Sequence, residues 1–275
     1  MEYKKKKEFL LCIDSDGCTM DAMDIKHIKA FGPCLIKEWD LFAYAEVLLQ
    51  RWNAINLYTM TRGVNRFKGL AMFLEEVDRQ YQKIEGLGDI QAWVCSTKEL
   101  SEASLIRELE KRESLALKKS LVWSKEVNRV IKSLPKEAIK PFEGVKNFIE
   151  KASKVCDIAI VSSANKEAII KEWERYDLLK YVDIVMAQDL GNKRDCIQKL
   201  LRYGYEKENV IMVGDAKGDM EAAYANGVHF YPILVGKEKE SWESLNSVLK
   251  RVMTKSFDDD MQKMLEKKFY ENLGG

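Results

Sequence analysis

The sequence predicts an α/β fold, a parallel sheet core with helices on both faces, into which an all-helical segment is inserted. Three observations carry that prediction. Short apolar runs of strand length alternate with helical-pattern segments through the second half of the chain, the signature of strands joined by crossover helices. A run of the same kind, Phe9 to Ile13, stands alone near the N-terminus. Between the two, strand patterning stops and apolar residues recur at helical spacing.

The elements follow in order. Phe9-Leu10-Leu11-Cys12-Ile13 has the length and composition of a buried strand. Asp14 and Asp16 follow at a spacing of two, then Gly17, which permits a sharp turn. Open α/β sheets place ligands just past the carboxyl ends of their strands. There, one carboxylate can attack while its neighbour handles a proton, and both can share a divalent cation. An acidic surface turn has the same composition, so this stretch alone leaves both readings open. From Ala22 to Pro135 the pattern is helical. Ile36 to Trp52 reads as one mostly buried helix and Arg66 to Ile84 as a second. Leu87-Gly88-Asp89 reads as punctuation, and Ser101 as the cap of a long charged helix rebuilt near Ser114 and ended by Pro135 and Pro141.

From Pro141 the texture changes. Helices are expected over 142–152, 165–176, 193–203 and 220–225, and strands over 157–161, 183–187, 210–213 and about 229–235. The first strand must join this sheet from across the helical block. The block is therefore an insertion and not a domain in series, which gives a core of residues 1–21 and 136–275 and a helical domain of residues 22–135. The tail from Ser241 to Gly275 reads as charged helix packed on the core.

Composition narrows the function. Among 275 residues, 45 lysines and arginines oppose 44 aspartates and glutamates, a net charge of +1 that gives no footing for nucleic acid. Lys4 to Lys7 reads as a solvated lead-in to the first strand. The six cysteines form no CxxC pair and match no zinc spacing, as expected of reduced thiols. No stretch is apolar enough to span a bilayer and no signal core precedes Phe9, so a cytoplasmic protein without a membrane partner is expected.

Polar residues stand at three further strand ends or helix starts. Ser162 follows Ile160-Val161, Asp215 follows Val213-Gly214, and Lys193 opens a helix, where a cation opposes the macrodipole. Asp219, four residues after Asp215, shares its helix face. Each has an ordinary explanation as a cap, a surface lysine or a first-turn acid. Their joint occurrence with Asp14 and Asp16 weighs against that set.

On these residues the chain resembles the haloacid dehalogenase superfamily of phosphohydrolases. Asp14-Ser15-Asp16-Gly17 matches the first motif, Ser162 the second, Lys193 the third, and Gly214-Asp215-Ala216-Lys217-Gly218-Asp219 the fourth, in the right order. The resemblance covers Phe9 to about Asp21 and Phe142 to about Val235. It implies a Rossmann-like core and a helical cap domain inserted between the first and second motifs, of the phosphoglycolate phosphatase-like type. The chain departs from the pattern at several places. Cys18 stands where threonine is usual, Ser15 where a bulky residue is usual, no proline follows Lys193, and the insertion is long.

The resemblance further implies a Mg²⁺-dependent phosphatase that forms an aspartyl-phosphate on Asp14. Asp16 would be the acid and base, Ser162 and Lys193 would hold the phosphoryl group, and Asp14, Asp16, Asp215 and Asp219 would form the metal set. The expected partner is a small phosphorylated metabolite, and the expected state a monomer or homodimer. Ser163 and, in the polar turn of the insertion, Arg62, Asn65, Arg66 and Lys68 are candidate substrate contacts, with a solvated connector the competing reading of that turn. His27 is a weaker candidate. A phosphomutase could use the same residues, and a phosphonate hydrolase is left open. A dehalogenase needs neither the metal nor the second aspartate. A non-catalytic phosphate-binding or protein-binding member is the alternative of a different class, with Trp39, Trp52, Trp93 and Trp123 as a possible partner surface.

Overall fold

The structure is a computed structural model that describes residues 3–97 and 99–275. It divides into two compact units, Met1–Met23 with Glu137–Gly275, and Asp24–Lys136. In chain order, β1 (Phe9–Ile13) and the short β2 (Met20–Asp21) precede the helical unit.

That unit begins with α1 (Met23–Lys26), which continues through a π-helical turn, His27–Phe31, into α2 (Gly32–Glu38). A 3-10 turn, Phe42–Tyr44, leads to α3 (Ala45–Asn53) and a second π-helical turn, Ala54–Tyr58. Then come α4 (Arg66–Gln80), α5 (Leu87–Ser96), α6 (Glu102–Leu109) and α7 (Leu115–Ser133). The single helix expected over 36–52 is broken. Asp40 takes φ of 53°, which ends α2, and Phe42 is 63% exposed. Leu87 to Asp89 starts a helix instead of interrupting one, because Gly86 supplies the left-handed turn just before it. Ser101 and Ser114 cap α6 and α7 by accepting the Ser104 and Leu117 amides, so the charged helix is rebuilt at Ser114 as its sequence suggests. The core of this unit forms around Trp123, whose ring lies 5.9 Å from those of Phe31 and Trp52 and 6.3 Å from Phe67. Trp39, Trp52, Trp93 and Trp123 are all buried. The reading of these tryptophans as a partner surface is therefore corrected: they are core.

The second unit continues with β3 (Lys140–Pro141), α8 (Val145–Ala152), β4 (Cys156–Val161), α9 (Lys166–Arg175), β5 (Ile184–Met186) and α10 (Lys193–Leu201). It closes with β6 (Val210–Gly214), α11 (Lys217–Asn226), β7 (His229–Pro232), α12 (Glu238–Met253) and α13 (Asp259–Asn272). Five strands form a parallel sheet in the order β5-β4-β1-β6-β7. The first strand thus lies at its centre, and every residue of β1, β4 and β6 is buried. This is the Rossmann-like α/β core with an inserted helical segment. The sequence missed the antiparallel pair β2–β3, where the chain leaves the core and returns to it. Lys5, Lys6 and Lys7 are not a free lead-in: they bond Gly204 O, Asp183 and Cys156 O. No helix among the described residues is long and apolar enough to cross a membrane.

Candidate active site

Parallel strands end on one side, and the register sets what meets there. Ile13 of β1 pairs with Ile160 of β4 and Val213 of β6, so the residues that follow these strands, Asp14, Ser162 and Asp215, are neighbours by construction. The Asp14 amide still donates to Val213 O at 3.0 Å, and the chain then turns.

The turn is held by its own polar groups. Gly17 has φ of 81°, a conformation that costs other residues a Cβ clash. The Thr19 and Met20 amides both donate to Ser15 O, at 2.9 and 2.8 Å. The Thr19 hydroxyl donates to Asp14 O at 2.7 Å. The Ser15 amide donates to Asp14 Oδ1 at 2.7 Å and so fixes the carboxylate's rotamer. Asp16 is half-buried in the same turn.

Lys193, the first residue of α10, reaches into this turn. Its Nζ lies 2.7 Å from Asp14 Oδ2 and 2.6 Å from Asp219 Oδ1. A cation at a helix N-terminus is unfavourable, and these two carboxylates offset that cost. Burial disfavours the ammonium, but the charges of Asp14 and Asp219 outweigh it and raise its pKa. Burial also pushes the Asp219 carboxyl up, against the pull of Lys193. The second oxygen of Asp219 accepts the Ala216 amide at 3.1 Å, so both of its oxygens have partners within the protein. Gly214 is required here by space: a Cβ on it would collide with the Asp219 side chain.

Carboxylate oxygens of Asp14, Asp215 and Asp219 lie within 4.8 Å of one another, and all three residues are buried. Three carboxylates are thus gathered where desolvation makes negative charge costly. The Cys18 thiol registers them, its pKa raised first by burial and then by Asp215, Asp14 and Asp219. A hard divalent cation bound by oxygen is the group such a donor set fits.

Ser162 is buried at the end of β4; its amide donates to Met186 O, and its hydroxyl oxygen accepts the Ala164 amide at 3.3 Å. Ser163 beside it is exposed.

In the helical unit, the turn of Arg62, Asn65, Arg66 and Lys68 is partly solvated. Arg62 is buried and donates to Leu57 O. Asn65 caps α4 through the Phe67 amide and donates to Leu100 O. Arg66 donates to Ser124 and Asn128 and lies over the Phe31 ring. These bonds help hold that unit together. Lys68 is exposed. His27 is buried, accepts the Trp52 indole N–H at Nδ1 and stacks on Phe31, so it too is a packed residue.

Two residues of the site escape sequence reasoning. Trp173 of α9 donates its indole N–H to Ser15 Oγ at 3.0 Å. Trp242 of α12 donates to Cys18 O, also at 3.0 Å, and packs on Phe148. Each looks in the sequence like an ordinary apolar helix position.

Comparison with known proteins places the arrangement. The family model for haloacid dehalogenase-like hydrolases matches residues 91–233, just over half of the chain. No curated protein sequence matches. Among solved structures, a Clostridium difficile protein assigned as a phosphatase is 18% identical with a TM-score of 0.53, over 89% of this chain and 100% of that one. A haloacid dehalogenase-type hydrolase of Bacillus subtilis, bound to magnesium, is 12% identical with a TM-score of 0.53, over 89% and 99%. A Thermotoga maritima protein assigned as a β-phosphoglucomutase is 20% identical with a TM-score of 0.50, over 88% and 100%. At these identities the likeness is one of fold.

Proposed function

The chain belongs to the haloacid dehalogenase-like hydrolases, and from that premise we propose that it is a magnesium-dependent phosphatase that hydrolyses a small phosphate monoester through an aspartyl-phosphate on Asp14. The observation that carries the reading is Lys193 bonded at once to Asp14 and Asp219 at the end of the central strand, with Asp215 alongside.

A phosphate dianion repels a carboxylate nucleophile, so positive charge must be in place first. Lys193 supplies one such charge, half-buried where water screens it little. Magnesium, held by Asp14, the Asp16 carbonyl and Asp215, would supply the rest by neutralising phosphoryl oxygens. Asp219, whose oxygens bond Lys193 and the Ala216 amide, would aim Lys193 and complete the metal set. A carboxylate oxygen of Asp14 attacks phosphorus in line, and the bond to the ester oxygen breaks. Asp16 gives its proton to the departing alkoxide. The Asp16 carboxylate then takes a proton from water, whose oxygen attacks phosphorus, releases phosphate and restores Asp14. Ser162 donates its hydroxyl to a phosphoryl oxygen, and exposed Ser163 is the proposed substrate contact of the core.

Turnover of an aryl phosphate, with and without Mg²⁺, tests the reading. The expected result is metal-dependent release of free phosphate that Asp14→Asn abolishes. Equal turnover by wild type and Asp14→Asn, or none by wild type across a panel of phosphorylated metabolites, overturns it.

A further inference from the structure

We propose that Trp173 is a positioning residue for Asp14, acting through Ser15; the proposal rests on Asp14 being the nucleophile. Ser15 occupies the position between the two aspartates where a bulky side chain is usual, and a small hydroxyl there has little surface with which to anchor the turn by packing. The structure supplies a directional anchor instead. Trp173 arrives from α9, 158 residues away in sequence, and donates its indole N–H to Ser15 Oγ at 3.0 Å. Both residues are fully buried. An indole has one donor and no acceptor, so away from water this hydroxyl oxygen is its partner, and losing it would strand a buried N–H.

Ser15 is also the node of the turn. Its amide holds Asp14 Oδ1 at 2.7 Å, and its carbonyl takes the amides of Thr19 and Met20. A continuous path therefore runs from the Trp173 indole through Ser15 to the carboxylate that attacks. Ser15 cannot shift without moving the Asp14 carboxylate, and a misplacement of about 1 Å can cost about 100-fold in rate. Trp173 meets the reaction only through Ser15. Its removal should therefore act on kcat and leave KM in place, since it alters the aim of the nucleophile and not the contacts that bind substrate.

A double-mutant cycle tests the pair. Ser15→Ala, Trp173→Phe and the double variant are assayed beside wild type and Asp14→Asn on an aryl phosphate with Mg²⁺. Circular dichroism selects folded protein, and amide exchange is followed over residues 14–20. Each single variant is expected to lower kcat about tenfold, with KM within about twofold, and to speed exchange in the turn but not in β6 or α10. The double variant is expected to match the singles, because either change removes the whole interaction. If Trp173→Phe does not fold, Ser15→Ala alone carries the test through its kcat, KM and exchange. Losses that multiply to about 100-fold, or unchanged kcat and turn exchange while Asp14→Asn is inactive, overturn the proposal. Activity that survives in Asp14→Asn overturns the phosphatase reading instead, and exchange in the turn then decides whether Trp173 holds it.

Discussion

Lys193 Nζ lies 2.6 Å from Asp219 Oδ1, and on the proposed reading this contact gives the two aspartates of the fourth motif different roles. Asp219 is wholly buried, and its other oxygen is committed to the Ala216 amide. Asp215 belongs to the same carboxylate cluster. Asp219→Asn is expected to lower kcat about 100-fold by freeing Lys193 from its aim, while the Mg²⁺ concentration for half-activation moves less than about tenfold. Asp215→Asn is expected to raise that concentration by tenfold or more. Mg²⁺ titrations of activity for the two variants check the split. The same shift in both would mean that Asp219 holds the metal as firmly as Asp215 does.

Metal binding can be read without activity. Asp14, Asp215 and Asp219 bring three buried carboxylates together, and a cation that binds them only in the folded state stabilises that state by mass action. At about 100 times its dissociation constant, Mg²⁺ should add about 2.7 kcal/mol to the stability of the core. Thermal unfolding with Mg²⁺ and with EDTA checks this. The expected outcome is a clear rise in Tm for wild type and little or none for Asp215→Asn. An equal rise in both would mean that the ion binds elsewhere.

How much of this was legible in the sequence depends on the range of the interaction. The runs FLLCI, CDIAIV and VIMVG announce central strands because burial on both faces leaves them apolar throughout, and each is found within a residue of its expected bounds. Asp14, Ser162 and Asp215 then follow from strand register, so the gathering of the site was implicit in the order of strands. The β2–β3 pair was not legible, since two residues per strand carry no period. The break at Asp40 was hidden because apolar residues continue through it, including Phe42, which is exposed. Trp173 and Trp242 could be read as buried. That their N–H groups meet Ser15 and Cys18 depends on contacts across 158 and 224 residues, which no local pattern records.

His27 gives the helical unit a defined sensitivity to acid. The Trp52 indole donates to its Nδ1, which therefore carries no proton. Burial first, then the cations of Arg62, Arg66 and Lys26, lower its pKa from 6.5 to about 3. In the unfolded chain the ring takes up a proton near its ordinary value; in the folded unit it does not. The unfolded state thus binds more protons below about pH 6.5, and stability falls as pH falls from there towards 3. Between pH 7 and pH 4 this single group should account for a loss of about 3 kcal/mol. His27→Gln keeps an acceptor for Trp52 and does not titrate. Urea unfolding across that range should show the stability of wild type relative to His27→Gln declining by about that amount, and parallel profiles would place the acid sensitivity elsewhere.

The outer edge of β7 offers the last prediction. As a terminal strand it would present open backbone groups, a template for pairing with another chain. Helix α13 covers it with two side-chain amides, one on the strand and one on the turn that follows it. Gln262 accepts the Phe230 amide at 3.1 Å and donates to its carbonyl at 3.0 Å. Asn272 does the same for Val235, at 2.8 and 3.0 Å. Between them the Phe269 ring sits edge-on to Phe230 at 5.4 Å. Each amide is matched as both donor and acceptor, so Gln262→Glu or Asn272→Asp, close in size, should disrupt the pairing by removing the donor. The double variant Gln262→Ala/Asn272→Ala should lose about 2 kcal/mol, because four backbone groups then depend on water that the helix partly excludes. With the edge uncovered it should also associate at concentrations where wild type does not. Chemical denaturation and light scattering measure the two effects, and a variant with unchanged stability and size would show that packing of Phe269 alone seals the strand.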